Sequence, residues 1–270
     1  MRGDPAGLVD GIRWEAQDTV SESGSGESAR SGSGDVPARA LRPGGVPHGS
    51  GQEVSTEDWL EDTRASYDTV AVSYADQVRH LLDETPEERA AMALFADLVR
   101  TGGGGPVADV GCGPGRITAH LHGPGVDAFG IDLSPGMVEV ARRDHPGLRF
   151  EVGSMTDLDL ADGSMAGLVA WYSLIHVPDD EIGRVLAHFR RVLRAGGPLL
   201  LGFHVGDGSR LKTRGYGGHP MKVHVHRRQP DRVTAWLDDA GFSVGTHRTL
   251  SSAESTLGGV LLARRRPDGA

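Results

Sequence analysis

Disulfide partners, long apolar runs and an excess of basic charge are all missing from this chain. Cys112 is the one cysteine in 270 residues, which excludes an internal disulfide and any cysteine-based zinc knuckle. No apolar stretch approaches the ~20 residues that cross a bilayer, so no membrane partner is expected. The opening MRGDPAGLVDGIRW lacks the basic-then-apolar order of an export signal, and cytoplasmic residence is expected by exclusion. Lys and Arg number 28 against 37 Asp and Glu, a formal charge of -9. A phosphate backbone asks for a concentrated basic face, so nucleic acid is not expected as the main partner. Glycine, by contrast, is abundant at 40 residues, and a glycine-rich turn is therefore weak evidence by itself.

The chain divides by composition. Residues 1–53, with SESGSGESARSGSGDVPARALRPGGVPHGSG, offer almost nothing to bury and predict a disordered Ser/Gly-rich tail. Residues 54–104 predict a helical segment, because Tyr67, Val70, Ala71, Tyr74 and Val78 recur at helical spacing. A further helix from Pro86 to Arg100 stops at TGGGGP. From 105 to 267 strands and helices alternate: PVADVG, VDAFGID, LRFEVGS, AGLVAWYSLI and PLLLGFH read as strands with helices between them. This order predicts an α/β sheet with helices on both faces. The end differs, since FSVGTHRTL and TLGGVLLARRR have no long helix between them and predict a final hairpin with one antiparallel strand.

The chemistry concentrates in VADVGCGPGRI. Gly111, Gly113 and Gly115 follow a strand and open a helix, where missing Cβ atoms permit positive φ and close approach of a ligand. Asp109 sits at the strand end, placed to organise the turn or to accept a hydrogen bond from a ligand. The next strand ends GID, and an acid such as Asp132 at that point can grip both hydroxyls of a ribose. Cys112 reads as a small residue filling a tight corner. A dinucleotide fits less well, because Pro114 removes a backbone donor where a pyrophosphate would need one.

VADVGCGPGRITAHL followed by FGIDLSPGMVEVARR resembles the class I S-adenosylmethionine-dependent methyltransferases, in their small-molecule branch. The resemblance covers roughly residues 64–264 and implies a Rossmann-like, seven-stranded, mostly parallel sheet with an antiparallel last strand. It implies S-adenosyl-L-methionine as cofactor. Asp109, Gly111, Gly113 and Gly115 would wrap its amino-acid part, and Asp132 would hold the ribose. Leu133 would pack on adenine, Ser154 and Met155 would border the ring, and Asp157 would meet the exocyclic amine or face water. Ala166 and Gly167 stand where many relatives carry an F-D pair. The resemblance also makes the segment SYDTVAVSYA a lid, with Tyr67 against the cofactor and Tyr74 either beside it or in the core.

For the acceptor side, His176 lies just past the fourth strand, as a base, an orienting donor or a helix-capping residue. His204 occupies the equivalent place after the fifth. Tyr172 would border the methyl channel. Residues 205–229 read as an acceptor-side insertion, with Lys222, Arg227 or Arg228 available to an anionic group or forming a solvated edge. His224 and His226 alternate but lack a recognisable third ligand, so no metal is expected. The expected reaction is methyl transfer to an oxygen or nitrogen of a small molecule, by a monomer or homodimer. A catalytically silent cofactor-binding protein is the alternative; an RNA methyltransferase would need a basic lane from KTR 212–214, HRR 226–228 and RRR 264–266.

Overall fold

A computed structural model describes residues 56–250 and 258–269; the predicted tail lies outside them. Three helices come first: α1 (Thr56–Val78), the single turn α2 (Leu81–Glu84) and α3 (Pro86–Thr101). Pro86 fits the first turn of α3, and the left-handed Gly103 (φ 99°) and Gly104 (φ 66°) turn the chain away just past its end. Then β1 (Pro106–Val110), α4 (Arg116–His122), β2 (Asp127–Asp132), α5 (Pro135–Asp144) and β3 (Phe150–Val152) alternate. They are followed by β4 (Gly167–Trp171), a 3-10 turn at Leu174–His176, α6 (Ile182–Val192) and β5 (Pro198–His204). The hairpin β6 (Ser209–Gly215) and β7 (His219–His226) precedes α7 (Pro230–Asp239), β8 (Phe242–Leu250) and β9 (Gly258–Arg265).

Among the described residues, seven strands form one sheet in the order β3-β2-β1-β4-β5-β9-β8. Its first five are parallel, and β9 runs antiparallel between β5 and β8, as the terminal hairpin pattern predicted. Alternation along the buried strands feeds two cores. Leu168, Ala170, Leu199 and Leu201 meet Val185, Phe189 and Leu237 of α6 and α7. Val107, Val169 and Leu200 meet Met92, Phe95 and Leu121 of α3 and α4. Cys112 packs with Val138, Ala141 and Phe150, and a Cβ on Gly130 would lie 2.6 Å from its sulfur, so the thiol does fill a corner.

Strand order reverses between β1 and β4, which opens a crevice at the strands' carboxyl ends. Helix α1 and strand β7 pack against each other beside that crevice, where the Ser66 hydroxyl accepts the Lys222 N–H at 2.8 Å. The insertion after β5 is therefore an antiparallel ribbon that braces α1.

Candidate functional site

The glycine turn takes its shape from three left-handed residues, Gly111 (φ 77°), Gly113 (φ 54°) and Gly115 (φ 82°). Each has a different reason to lack a side chain. A Cβ on Gly111 would lie 2.2 Å from the Ser173 Cβ, and one on Gly115 would lie 2.7 Å from the Phe150 ring. At Gly113 the nearest atom would be Tyr74 Cε1 at 3.7 Å, so its backbone stays open to approach from the pocket. The N–H groups of Gly111 and Cys112 both donate to the Ile131 carbonyl, tying the turn to β2.

Asp132 ends β2 and holds both neighbours of the crevice. Its Oδ2 accepts the Gly113 N–H at 2.7 Å and its Oδ1 the Ser134 N–H at 2.9 Å. Burial pushes its carboxyl up to about 6, against those two bonds, which favour the anion. Asp109 is wholly buried under the turn, where Thr118 donates to its Oδ2 at 2.7 Å. Its Oδ1 has no partner among the described residues, and burial raises this carboxyl to about 6 as well.

One pocket joins these groups. Gly111, Gly113, Asp132, Leu133, Ser154 and Met155 line it together with Trp59, Tyr67, Tyr172, Ser173, His176 and Val177. Of the residues singled out from sequence, Asp109, Gly115, Asp157 and His204 lie outside this wall. Gly115 opens α4 against Phe150, and Asp157 is exposed, its N–H bonded to the Ser154 carbonyl. His204 stands behind Tyr172, ring centroids 5.2 Å apart, and neither of its ring nitrogens has a hydrogen-bond partner among the described residues. Burial lowers it to about 4.

His176 is built into a chain of hydrogen bonds. Its Nδ1 lies 2.8 Å from the His224 carbonyl, and its Nε2 lies 2.6 Å from the Tyr67 hydroxyl. A carbonyl only accepts, so Nδ1 carries the proton and Nε2 accepts from Tyr67. Burial holds this imidazole down at about 3 and raises the Tyr67 phenol well above its usual value. Tyr74 also lines the pocket, edge-on to Tyr67 at 5.9 Å and to Tyr216 at 4.7 Å. Tyr172 adopts φ 53°, uncommon for a residue with a side chain, and its hydroxyl reaches the Glu88 carboxylate at 3.4 Å. Burial raises both of these groups.

The basic residues of the insertion are largely occupied elsewhere. Arg228 is buried, donating to the Leu174 carbonyl at 2.8 Å, to that of Val177 and to Asp179. Lys222 pairs with Asp62 of α1 at 2.8 Å. The expectation that Arg228 is available to an anion is therefore corrected, because it clamps the 3-10 turn; Lys222 stays on the exposed edge that was the other reading. Arg264, Arg265 and Arg266 likewise donate to the carbonyls of Gly196, Leu193 and Asp238. No helix among the described residues is long and apolar enough to cross a membrane.

Sequence reasoning missed Trp59, Thr63, Glu88 and Arg116. Trp59, Thr63 and Tyr67 recur every fourth residue, a helical stripe that could have marked the first two. Glu88 reaches Tyr172 across the fold, and no local spacing announces it.

Residues 107–197 match the model of a family described as a methyltransferase domain. The chain is 35% identical over 188 residues to an uncharacterised 37.1 kDa protein in transposon TN4556 of Streptomyces fradiae, covering 65% of this chain and 53% of that one. It is 30% identical over 141 residues to a demethylmenaquinone methyltransferase of Renibacterium salmoninarum, covering 52% and 58%. This chain thus spans little more than half the length of either relative. The fold is similar to that of Burkholderia thailandensis 1,6-didemethyltoxoflavin-N1-methyltransferase, solved with 1,6-didemethyltoxoflavin and S-adenosylhomocysteine bound, with TM-score 0.61, 21% identity and coverage of 83% and 94%.

Proposed function

We propose, on the premise that this chain belongs to the class I S-adenosylmethionine-dependent methyltransferases, that it methylates an oxygen or nitrogen of a small-molecule acceptor. One observation carries the reading: a single pocket is lined by a glycine turn, a strand-end carboxylate and a Tyr67–His176 pair.

The residues present fit the cofactor at each of its parts. An ionised carboxylate offers about four acceptor sites, and Asp132 spends two on backbone N–H groups, leaving two for ribose hydroxyls. Leu133 and Met155 give adenine apolar contact, with Ser154 beside them. At the other end, Asp109 Oδ1 and Arg116 Nη1 are buried without hydrogen-bond partners among the described residues. Neither lines the pocket, so the ammonium and carboxylate of an amino acid would satisfy one each through water. When bound, S-adenosylmethionine supplies a methyl carbon activated by the adjoining positive sulfur.

The chain's own work is alignment and exclusion of water. Trp59, Thr63 and Tyr67 of α1 cover the crevice, and Tyr172 and Val177 wall the acceptor half. An imidazole held at about 3 is too weak to deprotonate a neutral alcohol on its own. His176 therefore acts as a fixed acceptor that, with Tyr216, orients the Tyr67 hydroxyl beside the acceptor molecule.

Mass spectrometry of the purified protein, followed by an acceptor screen with methyl-labelled cofactor, tests this function. Bound cofactor and labelled product with equimolar S-adenosylhomocysteine are expected. Absence of cofactor binding at millimolar concentration would overturn the reading.

A further inference from the structure

The lid and the ribose carboxylate are joined by a bond path along the pocket wall, through Ser134. Asp68, on α1, points at the start of α5. Its Oδ1 accepts the Ser134 hydroxyl at 2.6 Å and the Gly136 N–H at 2.8 Å. Ser134 is the cap of α5, its Oγ accepting the Met137 N–H at 3.0 Å, and its own N–H donates to Asp132 Oδ1 at 2.9 Å. A carboxylate from 66 residues upstream thus braces the residue that orients Asp132.

Close approach at this point has a sequence requirement. A Cβ on Gly136 would lie 3.2 Å from Asp68 Oδ1, 3.3 Å from its Cα and 3.4 Å from the Ala71 Cβ, so glycine lets α1 settle on α5. Val70, Ala71 and Ala75 pack there against Met137 and Val140. The residue before Asp68 is Tyr67, bonded to His176. Two consecutive residues of one helix therefore tie α1 to the start of α5 and to the 3-10 turn at Leu174–His176.

We propose that Asp68 is a positioning residue: by bracing the Ser134 cap it sets the Asp132 carboxylate, so that seating of α1 and binding of the ribose are one event. The inference rests on the ribose role proposed above for Asp132. Asp68 itself touches neither substrate; it acts through Ser134.

A double-mutant cycle read by calorimetry with S-adenosylhomocysteine tests it. Asp68→Ala should weaken binding about tenfold, the scale of a lost charge-assisted hydrogen bond. Asp68→Asn, whose amide oxygen still accepts both bonds, should stay within about threefold of wild type. In the Asp132→Ala background, Asp68→Ala should change affinity by less than about twofold. A full tenfold loss in that background would overturn the proposal, because Asp68 would then act independently of Asp132. Unchanged affinity in Asp132→Ala alone would instead overturn the ribose reading and this one with it. Gly136→Ala keeps every bonding group but crowds the contact, and should weaken binding about threefold while the protein stays folded by circular dichroism; wild-type affinity there would count against the proposal.

Discussion

Tyr67→Phe removes one oxygen and isolates the question of what His176 does. In the wild type, Nδ1–H is spent on the His224 carbonyl and Nε2 accepts the Tyr67 hydroxyl at 2.6 Å. Loss of that hydroxyl leaves Nε2 buried and unsatisfied, which costs about 1–3 kcal/mol. Protonating the ring does not offer relief, because burial holds it at about 3. The phenyl ring keeps its edge contact with Tyr74, so packing is nearly preserved. Urea titration should show a loss of about 1–3 kcal/mol with an unchanged m-value. Turnover with an acceptor from the labelled-methyl screen should fall about a hundredfold through misplacement, with affinity for S-adenosylhomocysteine changed less than about threefold. The wild-type rate at saturating cofactor should show no inflection near 6.5, since a neutral His176 has no proton to gain there. Wild-type turnover in Tyr67→Phe, or an inflection at about 6.5 that the His176→Asn variant abolishes, would refute the argument.

Three further outcomes follow from the same geometry. Gly111→Ala should destabilise by about 2–5 kcal/mol in urea, adding left-handed strain to a clash with Ser173, whose hydroxyl holds the Val110 carbonyl. Affinity for S-adenosylhomocysteine should fall as pH drops below about 6, because Asp132 must lose its proton to accept the ribose hydroxyls; calorimetry giving a flat profile from pH 7 to 5 would contradict this. Near pH 5 the unfolded chain protonates His176, His204 and His226, which the fold holds at about 3, 4 and 4, while the fold keeps protons on Asp109 and Asp132 that the unfolded chain releases. The histidines outnumber the aspartates, so from these groups stability should fall as pH is lowered, measured by melting at constant ionic strength.

Much of the fold was legible because its signals are local. The run PVADV is a strand from its buried apolar residues, and the glycines behind it cannot continue one. Helix α6 shows its buried face in Ile182, Val185, Leu186, Phe189 and Val192. The antiparallel edge followed from two strands with no helix between them. Part of the pocket lining was legible for the same reason: Gly111, Gly113, Asp132, Leu133, Ser154 and Met155 lie at strand ends or in the short turns after them. The rest of the lining was read only coarsely. His176 was found, but not the phenol that fixes its free nitrogen or the carbonyl that fixes its tautomer. Arg228 looks like an exposed cation in sequence, yet it is buried against three acceptors.

The division has a physical origin. By itself the sequence determined which segments become strands and helices, where glycine must bend the chain and which acid ends the second strand, since these depend on backbone preference and periodicity over a few residues. Only the tertiary structure decided which side chains lose water together. Tyr67 meets His176, Tyr172 meets Glu88 and Asp68 meets Ser134 across 109, 84 and 66 positions. Burial, and with it the charge and direction of each hydrogen bond, arises from that long-range packing.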